Sequence, residues 1–446
     1  MKRVVVVGSG LAGLSAGYRL RERGWQVTVF EALGRVGGRV LSESEDGFVF
    51  DVGPVIVTDR YTEYMKLVRD VGLSDQVVDC APEIAVVKGD ELHIIDTRKP
   101  VRSFLTTKLL PARSKLRLLA NAARLIKPLH GMNPYDVSNR VQYDNTSIES
   151  YIDGIFGREI NDQLIEGLAR TMTSSSRDRT SVIEFFASAV LASGKMQTIK
   201  GGLQRLPDTL AAQLDVRLNS PVTAVCRTEL GVEVQYQNAI GALAQEQADA
   251  CVIATVFRDA VEVYPPLRGP GAGLLEATKN AGCISVQLTY DRRTNNEPFL
   301  VMVPTASSPE VGTLFLEHVK APDRAPAGAS LITAFIPTLA DTAFSSWSDD
   351  GLVGVVRDLV ERLFSELRGH FRAGRLTRWT YGSHQGEVGY YTALQRFLDS
   401  YPADEPIQVA GDYLATSGQE SAVVSGVNAA NRILAAQSNL ATSADT

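Results

Sequence analysis

Histidine and cysteine are scarce in this chain: five and four residues among 446. The cysteines (Cys80, Cys226, Cys251 and Cys283) form no C-x-x-C pair and the histidines do not cluster, so neither a disulfide framework nor a zinc site is suggested. Such usage fits a reducing compartment, and the cytoplasm is the expected location. No apolar run reaches the roughly 18 residues that a membrane-spanning helix needs. The start, Met1-Lys2-Arg3 and then apolar residues, imitates a secretory signal, but those apolar residues serve as the first strand of the site described next, and cleavage would remove it. A net charge of −6 argues against general nucleic-acid binding. Acidic residues are missing altogether between Arg98 and Lys127. That stretch holds nine Lys and Arg, which leaves the rest of the chain at −15. Its length calls for two or three lobes rather than one core.

What is present begins at the N-terminus. Val4, Val5, Val6 and Val7 read as a strand buried on both faces. Gly8, Gly10 and Gly13 then give G-x-G-x-x-G: one glycine for the tight turn, one for close approach of a pyrophosphate, one for packing of the next helix. That helix should run from Leu11 to Arg23 and end at Gly24. A second strand, Gln26 to Phe30, leads to Glu31, placed to accept the ribose hydroxyls of an adenosine. Strand, turn, helix and acid in this order predict a dinucleotide site, with NAD and FAD both open.

The next residues are Glu31-Ala32-Leu33-Gly34-Arg35-Val36-Gly37-Gly38-Arg39. G-x-G-x-x-G followed by E-x-x-x-R-x-G-G-R resembles the extended FAD fingerprint of the flavin amine oxidase superfamily, which includes monoamine oxidases, protoporphyrinogen oxidases and phytoene desaturases. The resemblance implies FAD, held by Gly8, Ser9, Gly10, Leu11, Ala12, Gly13, Glu31, Ala32, Arg35, Gly38 and Arg39. Arg39 offers a fixed fork of donors to anionic oxygens, and surface salt bridging is the alternative for Arg35 and Arg39.

Further along, Val40 to Ser42 and then Phe48 to Phe50 read as a hairpin turning at Glu45-Asp46-Gly47. Asp51-Val52-Gly53-Pro54 matches the superfamily's D-x-G-P, which implies that the backbone of Gly53, Pro54, Val55 and Ile56 meets the flavin ring. A helix is expected from Tyr61 to Val71 with Gly72 as its cap, and Ile84 to Ile95 alternates like a hairpin opening a second lobe. Residues 101–194 read as mostly helical, with Leu109, Leu116, Leu119, Ala123 and Ile126 at helical spacing among the cations. A capped helix starts near Asp144–Ile152 and ends at Phe156-Gly157, and another spans Glu159 to Thr171. The pattern D-x-x-S-x-x-x-Y-I-x-x-x-F-G-x-E from Asp144 resembles the helical insertion of protoporphyrinogen oxidases. Lys200 to Pro207 resembles the segment that returns the chain to the cofactor lobe. The strand Leu218 to Val225 is then implied to touch the adenine through Val222, with Val225 as second choice. Val232 to Tyr236 completes a hairpin, and Ala248 to Thr255 is another short strand.

Gly282 to Asp291 should enter the sheet of a substrate lobe, joined by strands near 299–303, 313–317 and 330–336. Ser348 to Phe371 reads as a helical region, Arg375 to Trp379 as a strand and Tyr381 to Tyr391 as a loop. The last dozen residues, rich in Ala, Ser and Thr, are expected to be disordered. Gln408 to Asp412, followed by a helix from Ser421, resembles the C-terminal flavin motif. It implies that Gly411 and Asp412 meet the ribityl chain and that N–H groups of Ser421, Ala422 and Val423 aim at the flavin pyrimidine.

The expected fold is therefore mixed α/β. A Rossmann-type FAD-binding domain comprises 1–83, 195–275 and 385–446, a mixed-sheet substrate domain comprises 84–100 and 276–384, and a helical insertion spans 101–194. FAD is expected to be non-covalent, since no Cys or His flanks Gly411. Three chemistries compete. The first passes a hydride from a hydrophobic small molecule to flavin N5, like a protoporphyrinogen oxidase or a desaturase, with oxygen or a quinone as acceptor. The second attacks a C–N bond, as amine oxidases do. In the third, FAD serves isomerisation or structure. Amine oxidases commonly carry a Lys in the strand entering the substrate lobe, and here no Lys stands between Lys279 and Lys320; Cys283 to Leu288 occupies that place. This favours the first reading. His384 and Tyr390 are the candidate catalytic residues, in a cluster with Trp379, Tyr381 and Tyr391. The stretch 98–127 is read either as a solvated face or as a peripheral membrane contact.

Overall fold

The four N-terminal valines form the middle of a five-stranded parallel sheet. Its order is β10 (Asp215–Arg217), β2 (Gln26–Phe30), β1 (Arg3–Val7), β14 (Ala250–Ile253) and β20 (Ile407–Val409). Val4 to Val7 are buried on both faces, as a run without polar alternation requires. The structure, a computed structural model, describes residues 1–173, 175–295, 298–338 and 346–444. The helix α1 (Leu11–Glu22) packs against the C-terminal helix Gln419–Ala444. Backbones meet there: a Cβ on Gly426 would lie 2.1 Å from the Ala12 carbonyl oxygen.

A second sheet of seven strands runs β19 (Phe371–Gln385), β15 (Lys279–Tyr290), β18 (Ser330–Thr338), β17 (Thr313–Leu316), β16 (Leu300–Met302), β7 (Glu83–Lys88), β8 (Glu91–Asp96). It is antiparallel except where β16 meets β7. The hairpin expected near Ile84 is thus the edge of this sheet. Against the seven-stranded sheet packs the hairpin of β3 (Ser42–Glu45) and β4 (Phe48–Asp51), whose turn residues Asp46 and Gly47 both take positive φ, 50° and 79°, as a tight hairpin demands. A small sheet of β5 (Val57–Thr58), β9 (Met196–Ile199) and β6 (Val77–Asp79) and a meander of β11 (Val222–Thr228), β12 (Gly231–Gln237) and β13 (Leu243–Ala248) complete the strands. Residues 100–192 are largely helical: α2 (Thr62–Asp70) precedes them, then come α3 (Pro100–Thr106), α4 (Ala112–Asn121), α5 (Ala123–Leu129) and α6 (Ile148–Ile155), with further short helices up to Val182–Ala192. The Ser147 hydroxyl caps α6 by accepting from the Ser150 N–H, and Gly157 ends it with φ 85°.

Four expectations are corrected. The C-terminal tail is helical to Ala444: Ala-rich sequence is good helix former, and polarity alone misread it. Residues 381–385 are not a loop but the end of the 15-residue strand β19, held by pairing with β15 across a register shift at Ala281/Cys283. The helical region after Ser348 stops at Leu363 with a 3-10 turn beyond it, and Phe371 already belongs to β19. The strand expected from Leu218 starts only at Val222. Residues 219 and 220 instead bond back to the Glu31 segment, Asn219 N–H to the Leu33 carbonyl and Ser220 N–H to the Glu31 carbonyl.

Candidate active site and cofactor cradle

The three fingerprint glycines divide their work visibly. Gly8 takes φ 99°, and a Cβ there would meet the Ala254 carbonyl oxygen at 2.9 Å; one on Gly13 would meet the Gly8 oxygen at 2.0 Å. Gly10 faces open space, with no atom within 4 Å of an added Cβ. The loop therefore keeps room where a pyrophosphate would approach and none elsewhere. Glu31 is buried beside it. One oxygen accepts from the Ser9 N–H at 2.8 Å and the Ser9 hydroxyl at 2.6 Å, and the other accepts from the Leu33 N–H at 2.9 Å. Gly37 donates its N–H to the Ser9 carbonyl, which ties the second Gly-rich segment against the first. Among the described residues Arg35 reaches only the neighbouring Val36 carbonyl, at 3.3 Å. Val222 is half-buried at a bulge opposite Tyr236, whose ring packs on Phe30 at the end of β2, while Val225 is buried in the meander.

Two residues expected at different parts of the cofactor pair with each other. Arg39 forks onto Asp412 at 2.9 and 2.6 Å. Burial alone would raise the Asp412 carboxyl, but the Arg39 guanidinium, helped by His384, outweighs it and holds that carboxyl far below the ordinary range. Gly411 donates its N–H to the Ser425 hydroxyl at 2.9 Å. The C-terminal helix begins at Gln419, two residues earlier than expected, so the Ala422 N–H already donates to the Gly418 carbonyl. Ala422 and Val423 thus lie inside the helix ladder, and the groups free to face a ligand move to Gln419, Glu420 and Ser421. Val423 instead packs into the core beside Leu14.

His384 is buried and stacks on Tyr390, ring centroids 5.1 Å apart. Its Nδ1 is 3.7 Å from Asp412, beyond hydrogen-bond length, and among the described residues neither ring nitrogen has a hydrogen-bond partner. The Tyr390 hydroxyl donates to the Tyr413 carbonyl at 2.6 Å, and burial pushes its ionisation well above the usual value. That leaves Tyr390 as support for His384 rather than as a proton carrier. Tyr391 donates to Glu184, a buried carboxylate whose pKa burial raises. Tyr381 is partly exposed at the rim.

The loop Val52–Ile56 has an unexpected frame. Trp379 Nε1 donates to the Val52 carbonyl at 2.8 Å, Lys320 Nζ to the Val55 carbonyl at 2.8 Å, and Gln419 Nε2 to the Ile56 carbonyl at 2.9 Å. The N–H groups of Gly53, Val55 and Ile56 donate to nothing among the described residues. Gly53 itself is pressed against the Arg39 carbonyl, 2.0 Å from where a Cβ would stand. Behind the loop, Lys320, Arg324, Asp51 and Glu317 form a fully buried ion cluster. No motif in the sequence announces Lys320, Arg324 or Gln419; their only signal is that charged and amide side chains survive in otherwise apolar surroundings. Open space at Gly10, an anchored acid at Glu31 and unspent N–H groups at 53–56 and at a helix N-terminus are together what a dinucleotide with a flavin head requires.

The model of the flavin containing amine oxidoreductase family matches residues 11–434. The chain belongs to that family, and it is a flavin-dependent oxidoreductase acting on a small molecule. It is 23% identical to coproporphyrinogen III oxidase of Staphylococcus aureus, over 97% of this chain and 99% of that one. It is 25% identical to protoporphyrinogen oxidase 2 of Arabidopsis thaliana, over 81% and 80%. Among solved structures, a protein described as a protoporphyrinogen oxidase from Exiguobacterium superposes with TM-score 0.75 at 22% identity, covering 97% of this chain and 98% of that one. Cyclohexylamine oxidase from Brevibacterium oxydans superposes with TM-score 0.77 at 16% identity, over 97% and 98%.

Proposed function

We propose that this protein binds FAD non-covalently and dehydrogenates a hydrophobic, conjugated small molecule of the porphyrinogen or polyene type, with oxygen or a quinone as acceptor. FAD is the form of flavin that a G-x-G-x-x-G loop with Glu31 behind it suits, because the adenosine end needs that acid. When bound, FAD supplies the two-electron chemistry; the chain positions it and excludes water. The observation that carries the substrate reading is β15. Its one lysine, Lys279, is exposed at the strand's first residue, and the buried interior holds Ser285 and Gln287, bonded to each other. No cation stands there to manage an amine. Relatives matched over nearly their whole length carry porphyrinogen oxidase names, which supports the same choice.

The test is anaerobic single-turnover bleaching of the flavin by porphyrinogens, polyenes and amines, with product analysis. Bleaching by a porphyrinogen or polyene and not by amines is expected. Rapid reduction by simple amines would select the amine oxidase reading. A catalysed isomerisation with no bleaching would select the third.

Among the described residues no helix is long and apolar enough to cross a membrane. Peripheral contact is a different matter. Val101, Leu105, Leu116, Leu119 and Ile126 are exposed on α3, α4 and α5, among the cations of 98–127. We infer that this face touches an anionic membrane surface, where a lipid-soluble substrate would be met.

A further inference from the structure

We propose that Lys320 is a positioning residue for the flavin-side loop, and that by holding the Val55 carbonyl it sets the reduction potential of the bound flavin; this rests on the FAD reading above. The argument starts from peptide units. The Val55 carbonyl and the Ile56 N–H belong to one peptide, as do the Val52 carbonyl and the Gly53 N–H. Lys320 Nζ takes the first carbonyl and Trp379 Nε1 the second, each at 2.8 Å. Both N–H groups at the other ends of these peptides are unspent among the described residues. A donor on a carbonyl polarises its peptide and strengthens the opposite N–H as a donor, and a full positive charge does so most. N–H groups strengthened in this way favour negative charge accumulating in front of them.

The ammonium is costly where it stands, which is why a purely structural role is a poor explanation. The Lys320 side chain has no solvent exposure, and its other partners are Asp51 at 3.1 Å and Glu317 at 2.5 Å. Asp51 in turn is held by Arg324 at 2.9 Å, the Ser42 hydroxyl at 2.5 Å and the Leu203 N–H at 3.1 Å. Well-packed apolar residues in place of the whole ion group would serve stability as well. What they could not do is donate to the Val55 carbonyl as Lys320 does.

The experiment compares wild type with Glu317→Gln, Lys320→Arg and the charge-balanced double variant Lys320→Met/Glu317→Gln. FAD content, visible spectrum, midpoint potential by dye-linked titration and single-turnover reduction rate are measured on each holoprotein. In the double variant the flavin stays bound, its potential moves negative and reduction slows by about tenfold or more. Lys320→Arg keeps the charge but shifts the donor, and its potential falls between the two; Glu317→Gln stays near wild type. Wild-type potentials in both Lys320 variants overturn the proposal, and if the double variant does not fold, a wild-type potential in Lys320→Arg does so alone. A folded double variant that no longer takes up FAD also overturns it, by assigning Lys320 to binding. Wild type that carries no FAD overturns the cofactor reading instead, whatever the variants do.

Discussion

Replacing Glu31 tests its observed part in shaping the loop separately from the nucleotide role proposed for it. The carboxylate is 7% exposed and takes three donors, two of them from Ser9, which is itself fully buried. In Glu31→Ala the Ser9 N–H loses its acceptor in a dry turn, at ~1–3 kcal/mol. The Leu33 N–H sits beside a half-exposed side chain and finds water, so it adds little. Unfolding free energy should therefore fall by about 2 kcal/mol. Glu31→Gln can turn its amide oxygen to Ser9 and its NH2 toward the wetter Leu33 side, so it should lose about 1 kcal/mol or less. Affinity for FAD follows a different order. Hydrogen bonds from ribose hydroxyls to a charged acceptor contribute ~1.5–3 kcal/mol, and both variants forfeit most of that. FAD should bind roughly ten- to hundredfold more weakly in each. Urea unfolding without added FAD gives the first ranking, and quenching of FAD fluorescence gives the second. Both variants binding FAD as tightly as wild type would refute the assignment of Glu31 to the nucleotide, even if the stability ranking held.

Other outcomes follow from the same geometry. Gly10→Val should melt close to wild type and purify colourless, because its side chain projects into the open cradle, whereas Gly13→Ala should lose about 3 kcal/mol of stability through collision with the Gly8 carbonyl. Glu420→Ala should lose about 3 kcal/mol in urea unfolding: that buried carboxylate accepts from the Glu63 and Tyr64 N–H groups at 2.7 and 2.6 Å and bolts α2 to the C-terminal helix. The Asp412 pKa is depressed in the folded state, so its pairing with Arg39 stabilises above the unfolded carboxylate pKa of about 4 and fades as pH falls below it. Arg39 is one-third exposed, so screening limits this to about 1–2 kcal/mol, and Asp412→Asn should flatten the acid limb of a stability–pH curve measured by urea midpoints.

Legibility from sequence followed locality. The N-terminal strand, turn, helix and acid could be read because each is set within a few residues: four valines, a glycine at positive φ, a carboxylate at a strand end. The hairpin at Asp46-Gly47 and the capped start of α6 were readable for the same reason. Pairing over long distance was not. Gly382 and Ser383 look like loop residues, yet β15 imposes strand on them from a hundred residues away. The tail resembled a disordered segment by composition, although alanine content favours helix. Within the site, the residues expected to touch cofactor were named from local motifs. The donors that fix the Val52–Ile56 loop come from Trp379, Lys320 and Gln419, whose meeting only the tertiary fold decides.

The basic stretch shows the same limit in reverse, because structure changes which residues should be tested there. Spacing alone grouped Leu109 with Leu116, Leu119 and Ile126, but Leu109 and Leu110 are buried, while Leu116, Leu119 and Ile126 are 67%, 56% and 65% exposed. Val101 and Leu105 join them, so five of the fourteen large exposed apolar residues among those described fall within 26 positions. Lys115 is engaged with the Leu105 and Thr107 carbonyls, Arg113 with Glu159, and Arg98 with Glu83 and Asp96. Arg102, Arg117 and Arg124 have no acidic partner among the described residues and are the informative cations. Each cation near an anionic leaflet contributes about 1 kcal/mol, so three to six of them, with partial insertion of the leucines, give roughly 4–7 kcal/mol. That corresponds to a dissociation constant between about 1 mM and 10 μM in accessible lipid, weak and salt-sensitive. Sedimentation with anionic and with neutral vesicles should pellet wild type only with the anionic ones, and less as salt rises. Arg102→Gln/Arg117→Gln/Arg124→Gln should weaken binding to anionic vesicles about a hundredfold, and Leu116→Ser/Leu119→Ser should remove whatever binding survives at high salt. Equal, negligible pelleting of all three proteins with both lipids would return this face to plain solvent.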